Sequence, residues 1–212
     1  MFVTFETGPQ NFTIQFFGDN LTVNIRRMNT AIDFVTQEFR KVQKFKKFDT
    51  LVKLLLSDIG NGMERTPKGE YLIRKTLVFV ERKRSSDMLA IGLKQNNIQA
   101  ISINRDRTLE QCLKAAEDLA SGKIAVLIVT DDATRGLKFT GVETVVNFDL
   151  PEQDASERYI HRIGCCTGRV GISFFDPCSS KDLENASDYV KIMKRLGHEV
   201  PDFLHEIVAV QM

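Results

Sequence analysis

Short apolar runs punctuate the chain at residues 75–81, 99–103, 124–130, 144–151 and 172–177. Most are dense in Val, Ile, Leu and Phe and are bounded by charged or turn-forming residues, the pattern of strands buried on both faces. Between them the apolar positions change to helical spacing. Leu51, Leu54 and Leu55 form one such set, and Met88, Leu89 and Leu93 a second. Leu113, Ala116, Leu119 and Ala120 form a third, ended by Ser121-Gly122-Lys123. Ser85 or Ser86 is placed to cap the second set. Residues 182–196 read as one last amphipathic helix, with Leu183, Tyr189, Val190, Ile192 and Met193 inward and residues 201–204 closing it. Upstream, residues 21–25 alternate like a short strand. Strands alternating with helices predict an α/β domain: a mainly parallel sheet between two helical layers, joined by right-handed crossovers. In such folds the loops at the carboxyl ends of the strands carry function.

Composition narrows the options. Of 212 residues, 42% are hydrophobic and 27% charged, as in ordinary globular proteins. The net charge of +1 gives no global basic field, so contact with nucleic acid depends on local placement of Lys and Arg. A run of lysines at 44, 46 and 47 reads as a solvated face. Cys112, Cys165, Cys166 and Cys178 contain no CxxC pair, so neither a metal site nor a disulfide framework is expected, and a reducing compartment is. No leader and no membrane span is evident, and no membrane partner is expected. Asn11-Phe12-Thr13 and Asn20-Leu21-Thr22 match the glycosylation pattern and are read as chance.

Several loop segments resemble one family in the order that family uses. Tyr159-Ile160-His161-Arg162-Ile163-Gly164-Cys165-Cys166-Thr167-Gly168-Arg169 is similar to the His-Arg-Ile-Gly-Arg-Thr-Gly-Arg signature of DEAD-box RNA helicases. Phe79-Val80-Glu81-Arg82-Lys83-Arg84, Asn104-Arg105-Asp106-Arg107, Thr130-Asp131-Asp132-Ala133-Thr134-Arg135-Gly136-Leu137-Lys138 and Val146-Asn147-Phe148-Asp149-Leu150-Pro151 resemble further motifs of the Vasa-like subgroup. The resemblance implies a three-layer RecA-like (P-loop NTPase-like) domain over residues 33–208. It also implies that residues 1–32 are the remnant of the end of a first helicase domain and its linker.

By the same resemblance, Arg82, Arg107, Thr130 and Gly136 are the RNA-binding candidates. His161, Arg162, Gly164, Gly168 and Lys138 fall at the nucleotide cleft, and Arg169 is the arginine-finger candidate, a guanidinium that would stabilise charge on a transferring phosphate. There are departures. Cys165-Cys166 replaces the first arginine of the signature with one residue extra, and the loop after Gly171 is short. Lys138 reverses the charge of an Asp. Arg105 stands where the family has the Gly that lets an RNA backbone approach. Leu109 and Cys112 replace a Gln and an Arg.

The 212 residues contain neither a Gly-x-x-x-x-Gly-Lys-Ser/Thr phosphate loop nor an Asp-Glu-Ala-Asp box. The expectation is therefore an RNA-binding helicase C-terminal domain impaired in catalysis, with ATP and Mg entering only if a first domain is supplied. The alternatives are an active helicase completed by another chain, and a protein-interaction module or degenerate duplicate. Expected partners are single-stranded RNA, helicase-associated proteins, or a separate first RecA-like domain. The expected location is the cytoplasm, with ribonucleoprotein granules or the nucleus as variants.

Overall fold

The computed structural model describes residues 35–57, 73–168 and 170–211, together with the backbone of Thr13–Ile14 and Val23–Asn24. Those two pairs, β1 and β2, bond antiparallel to one another. The assignment of residues 1–32 to a preceding domain otherwise lies outside the described residues.

The body of the domain is one six-stranded sheet. Its strands are β3 (Thr36–Lys41), β4 (Thr76–Phe79), β5 (Ala100–Ile103), β6 (Val126–Val129), β7 (Thr144–Asn147) and β8 (Val170–Phe175). They lie in the order β3-β8-β7-β4-β6-β5, and every adjacent pair is parallel. Each apolar run named above became a strand because its side chains alternate between two cores. Leu77, Phe79, Leu127, Val129, Val145 and Phe175 face one core. Val78, Val80, Val126, Ile128, Val146 and Phe174 face the other.

Two helices cover the second face. These are α1 (Lys47–Ser57), through Leu51, Leu54 and Leu55, and α2 (Lys83–Gln95), through Leu89, Ala90 and Leu93. The first face takes α3 (Leu109–Ala120) and α5 (Ala155–Gly164), followed by α7 (Ala186–Arg195) and α8 (Asp202–Val210). Two short helices complete the set, α4 (Asp131–Thr134) and α6 (Ser180–Glu184). This is the three-layer RecA-like arrangement expected from the sequence.

Several local expectations are corrected. The last helix is two: α6 and α7 meet at Asn185, which caps both and donates its side-chain amide to the Pro151 carbonyl. Pro201 does not close a helix but precedes α8, which buries Leu204 completely. Ser86 is not a cap. It lies inside α2, wholly buried, and donates to the Lys83 carbonyl at 2.7 Å. Met88 faces solvent rather than the core. Lys47 is not on a solvated face: it is buried, with Nζ 3.1 Å from Asp149 Oδ1 and 5.7 Å from the Phe148 ring centre.

Candidate nucleic-acid interface

The carboxyl ends of β4, β5, β6 and β7 open on one side of the sheet and deliver Glu81-Arg82, Asn104-Arg105, Thr130-Asp131 and Asp149 to one region. What holds these loops together is a single side chain from α5. Arg162 is 0% exposed and spends all five of its N–H donors inside the chain. Nε and Nη2 form a fork to Asp131 at 2.7 and 2.6 Å. Nη2 also reaches Glu81 at 2.5 Å, and Nη1 reaches the Asp149 carbonyl at 2.7 Å and Asn147 Oδ1 at 3.4 Å. The guanidinium lies 5.1 Å from the Phe79 ring centre. Arg158 adds a second cation 3.6 Å from Asp131.

Burial pulls the Arg162 pKa down, but Asp131 and Glu81 together outweigh it and hold the guanidinium above its usual range. Glu81 goes the other way from most paired carboxylates. Burial raises its pKa, and the opposing pull of Arg162 does not fully offset this. A carboxyl whose folded pKa is raised contributes stability that is complete below the unfolded value of 4.5 and is lost as pH rises through the folded pKa. Wild type should therefore gain stability relative to Glu81→Gln as pH falls from 7 to 4. Thermal unfolding of both proteins at the two pH values checks this, and a difference independent of pH would contradict it.

Arg162 thus couples two loops directly: Glu81 precedes Arg82, and Asp131 follows Thr130. Between them lies a cleft of about 310 Å³ lined by Glu81, Arg82, Lys83, Arg105, Thr130 and Asp132. Thr130 is 8% exposed and stands at the N-cap of α4 without a side-chain cap hydrogen bond. Arg82 is exposed and stands at the N-cap of α2 without a side-chain cap bond.

The other sequence candidates fall elsewhere. Arg107 pairs with Asp87 at 2.9 Å and does not line the cleft. Gly136 is exposed with φ +77°, a turn residue for which the left-handed conformation matters more than space. Lys138 and His161 are exposed, and Lys138 has no partner among the described residues. Gly164 is open to solvent. Gly168 sits where only glycine fits: a Cβ there would lie 2.7 Å from the Glu143 carbonyl carbon. Its amide and that of Thr167 both donate to the Val142 carbonyl, at 2.8 and 2.9 Å. Arg169 lies outside the described residues.

Cys165, in the place of the family's arginine, is half-buried and lies 3.4 Å from the His161 carbonyl. Burial, then Asp131 and Cys166, push its thiol up to about 11, so it is a poor nucleophile at neutral pH. Arg162 is fully engaged, Lys138 is one exposed cation, and no cluster of three or more His, Cys, Asp or Glu is arranged for a metal among the described residues.

Sequence reasoning names Arg82 and Thr130, which line the cleft, but not the residues that support them. Glu81 and Asp131 carried a signal, being acidic residues directly beside the two phosphate-contact candidates at strand ends. Asp87 and Asn104 carried none, because their roles arise only when α2 meets β5.

The geometry defines a RecA-like domain of helicase type with its loop cluster at the carboxyl edge. The chain belongs to the helicase conserved C-terminal domain family, whose profile matches residues 46–171, and it is of the DEAD-box, Vasa-like kind. It is 36% identical over 206 residues to the ATP-dependent RNA helicase vasa of Drosophila melanogaster, covering 95% of this chain and 28% of vasa. The chain thus spans about a quarter of the length of that relative. The C-terminal domain of the DEAD-box protein Dbp5 superposes with a TM-score of 0.61 at 27% identity, covering 84% of this chain and 96% of that one. Dbp5 L327V of S. cerevisiae, solved with RNA and ADP BeF3, superposes with a TM-score of 0.60 at 25% identity, covering 84% and 44%.

Proposed function

We propose that this chain is an RNA-binding helicase domain that grips the phosphates of single-stranded RNA in the Arg82–Thr130 cleft and does not turn over ATP on its own. The observation that carries the reading is that one small cleft is lined by exposed Arg82 and by Thr130, a residue 8% exposed whose side chain makes no cap hydrogen bond. A hydroxyl and a guanidinium are complementary to a phosphodiester oxygen, and a charged partner makes each such bond stronger than a neutral one. The solved complex of Dbp5 L327V with RNA supports the choice of ligand. ATP and magnesium need residues of a first RecA-like domain, whether on a longer polypeptide or another chain, and such a domain is the leading protein partner. A helicase-associated protein is the other partner class, and exposed Met88 and Ile91, one turn apart on α2, offer it apolar contact. The four free cysteines fit a reducing compartment, the cytoplasm or its ribonucleoprotein granules.

Filter binding to a single-stranded oligoribonucleotide tests the reading. Affinity should fall roughly tenfold or more in Thr130→Ala, the loss of one charge-assisted bond. Arg107→Ala should cost less, because Arg107 is already held by Asp87. Equal affinity of Thr130→Ala and wild type would exclude the cleft as the RNA site. RNA-stimulated ATP hydrolysis by the purified 212-residue chain would exclude the noncatalytic half of the proposal.

A further inference from the structure

Arg105 is the feature of this cleft that its relationship to other helicases does not explain. The loop that carries it is fixed from both sides. On one side Asn104, 1% exposed, donates from Nδ2 to Ser86 Oγ at 3.0 Å and Asp87 Oδ1 at 3.2 Å, while its Oδ1 accepts from the Asp106 amide at 3.1 Å. On the other side Asp106 pairs with Lys83 at 2.7 Å. Asp87 also accepts from Ser102 at 2.6 Å and Arg107 at 2.9 Å, which closes the loop onto the start of α2. The backbone of Arg105 is therefore held in place before any ligand arrives.

The charges of the lining then cancel in pairs. Glu81 is taken by Arg162, Lys83 by Asp106, and Asp132 lies 3.7 Å from Arg135. Arg82 and Arg105 are left, neither with a carboxylate at ion-pair distance among the described residues. Two uncompensated arginines thus share one cleft with Thr130, whose side chain makes no cap hydrogen bond.

An internal phosphodiester carries one negative charge and continues on both sides, so it needs an open groove. A terminal phosphate monoester carries about 1.5 to 2 charges near pH 7, has three acceptor oxygens, and continues on one side only. Two guanidinium forks match the second ligand in charge and in donor number. An arginine beside the opening also narrows the path a continuing strand would take. We infer that Arg105 makes this cleft a receptor for the phosphorylated end of an RNA strand, in preference to an internal phosphodiester. This rests on the reading of the Arg82–Thr130 cleft as the RNA site.

The test compares one single-stranded oligoribonucleotide in three forms, with a 5′-phosphate, with a 3′-phosphate and with hydroxyls at both ends. Binding to the full 212-residue chain is followed by fluorescence anisotropy. Wild type should bind one phosphorylated form at least about tenfold more tightly than the hydroxyl form, the effect of one added charge-assisted contact. Arg105→Gly should abolish that preference, bringing the affinity for the phosphorylated form down to that for the hydroxyl form. Arg105→Lys, keeping charge without the fork, should retain part of the preference, and circular dichroism of each variant reports folding. Equal affinity for all three forms, with Thr130→Ala still weakening each, overturns the end-specificity and leaves the RNA site standing. No measurable binding of any form overturns both. A preference that survives in Arg105→Gly also overturns the assignment to Arg105.

Discussion

Arg162→Ala should cost the domain about 3–5 kcal/mol of stability, the penalty for leaving buried charges without their partner. The side chain is wholly buried, and its removal strands Asp131 and Glu81, each with only 15% of its side chain exposed, around an empty space. The Asp149 carbonyl and Asn147 lose a donor as well. At roughly 2–4 °C per kcal/mol for a domain of this size, the melting temperature should fall by about 10 °C. Arg162→Lys should recover little, because an ammonium has three donors on one atom and cannot span Asp131, Glu81 and the Asp149 carbonyl together. Urea unfolding of the three proteins measures this. A loss below about 1 kcal/mol for Arg162→Ala would mean that water replaces the guanidinium and that the network does not hold the loops. The functional consequence follows from position. The two carboxylates adjoin Arg82 and Thr130, so the variant should also weaken RNA binding although Arg162 does not line the cleft.

The second large effect is expected at Gly168. A methyl group there would lie 2.7 Å from the Glu143 carbonyl carbon, and backbone cannot yield as a side-chain tip can. The Thr167 and Gly168 amides would then be pulled from the Val142 carbonyl. Gly168→Ala should cost about 1–3 kcal/mol, the range for forcing atoms into a closely packed site. Gly164→Ala is the control, since a Cβ there meets nothing within 4 Å. Gly164 lies in a helix, where Ala is the better former, so that variant should be neutral or slightly stabilising. Chemical denaturation of the pair separates the two. Equal stability would mean that the loop moves freely away from Glu143.

The sheet was legible because its signal is local and repeated. Alternation of side chains between two cores buries every position of β4, β6 and β7, so these segments are mostly apolar, and short runs of that kind have few other uses. The break at Asn185 was not legible, because it depends on a contact with Pro151 from another loop. α8 is legible in the spacing of Phe203, Leu204, Ile207 and Val208, but a proline reads equally as the end of one helix or the start of another, and here Pro201 starts one.

At the cleft, motif order brings Arg82 and Thr130 forward as candidates, whereas motif membership alone does not separate an exposed residue from one that builds the scaffold. His161 and Arg162 are neighbours in one motif, yet one is in solvent and the other has no exposed surface. Arg107 and Arg82 show the same split, since only one has an aspartate to bind. Those distinctions are made by Asp131, Glu81 and Asp87, residues whose roles depend on the folded chain.

The most direct test of the account is the salt dependence of single-stranded RNA affinity for wild type, Arg82→Ala and Arg107→Ala. Each phosphate contact contributes about 0.7 to the slope of log affinity against log salt concentration for single strands. The account predicts that Arg82→Ala reduces the magnitude of the slope by about that amount while Arg107→Ala leaves it nearly unchanged. A slope unaltered by Arg82→Ala, or reduced only by Arg107→Ala, would contradict it.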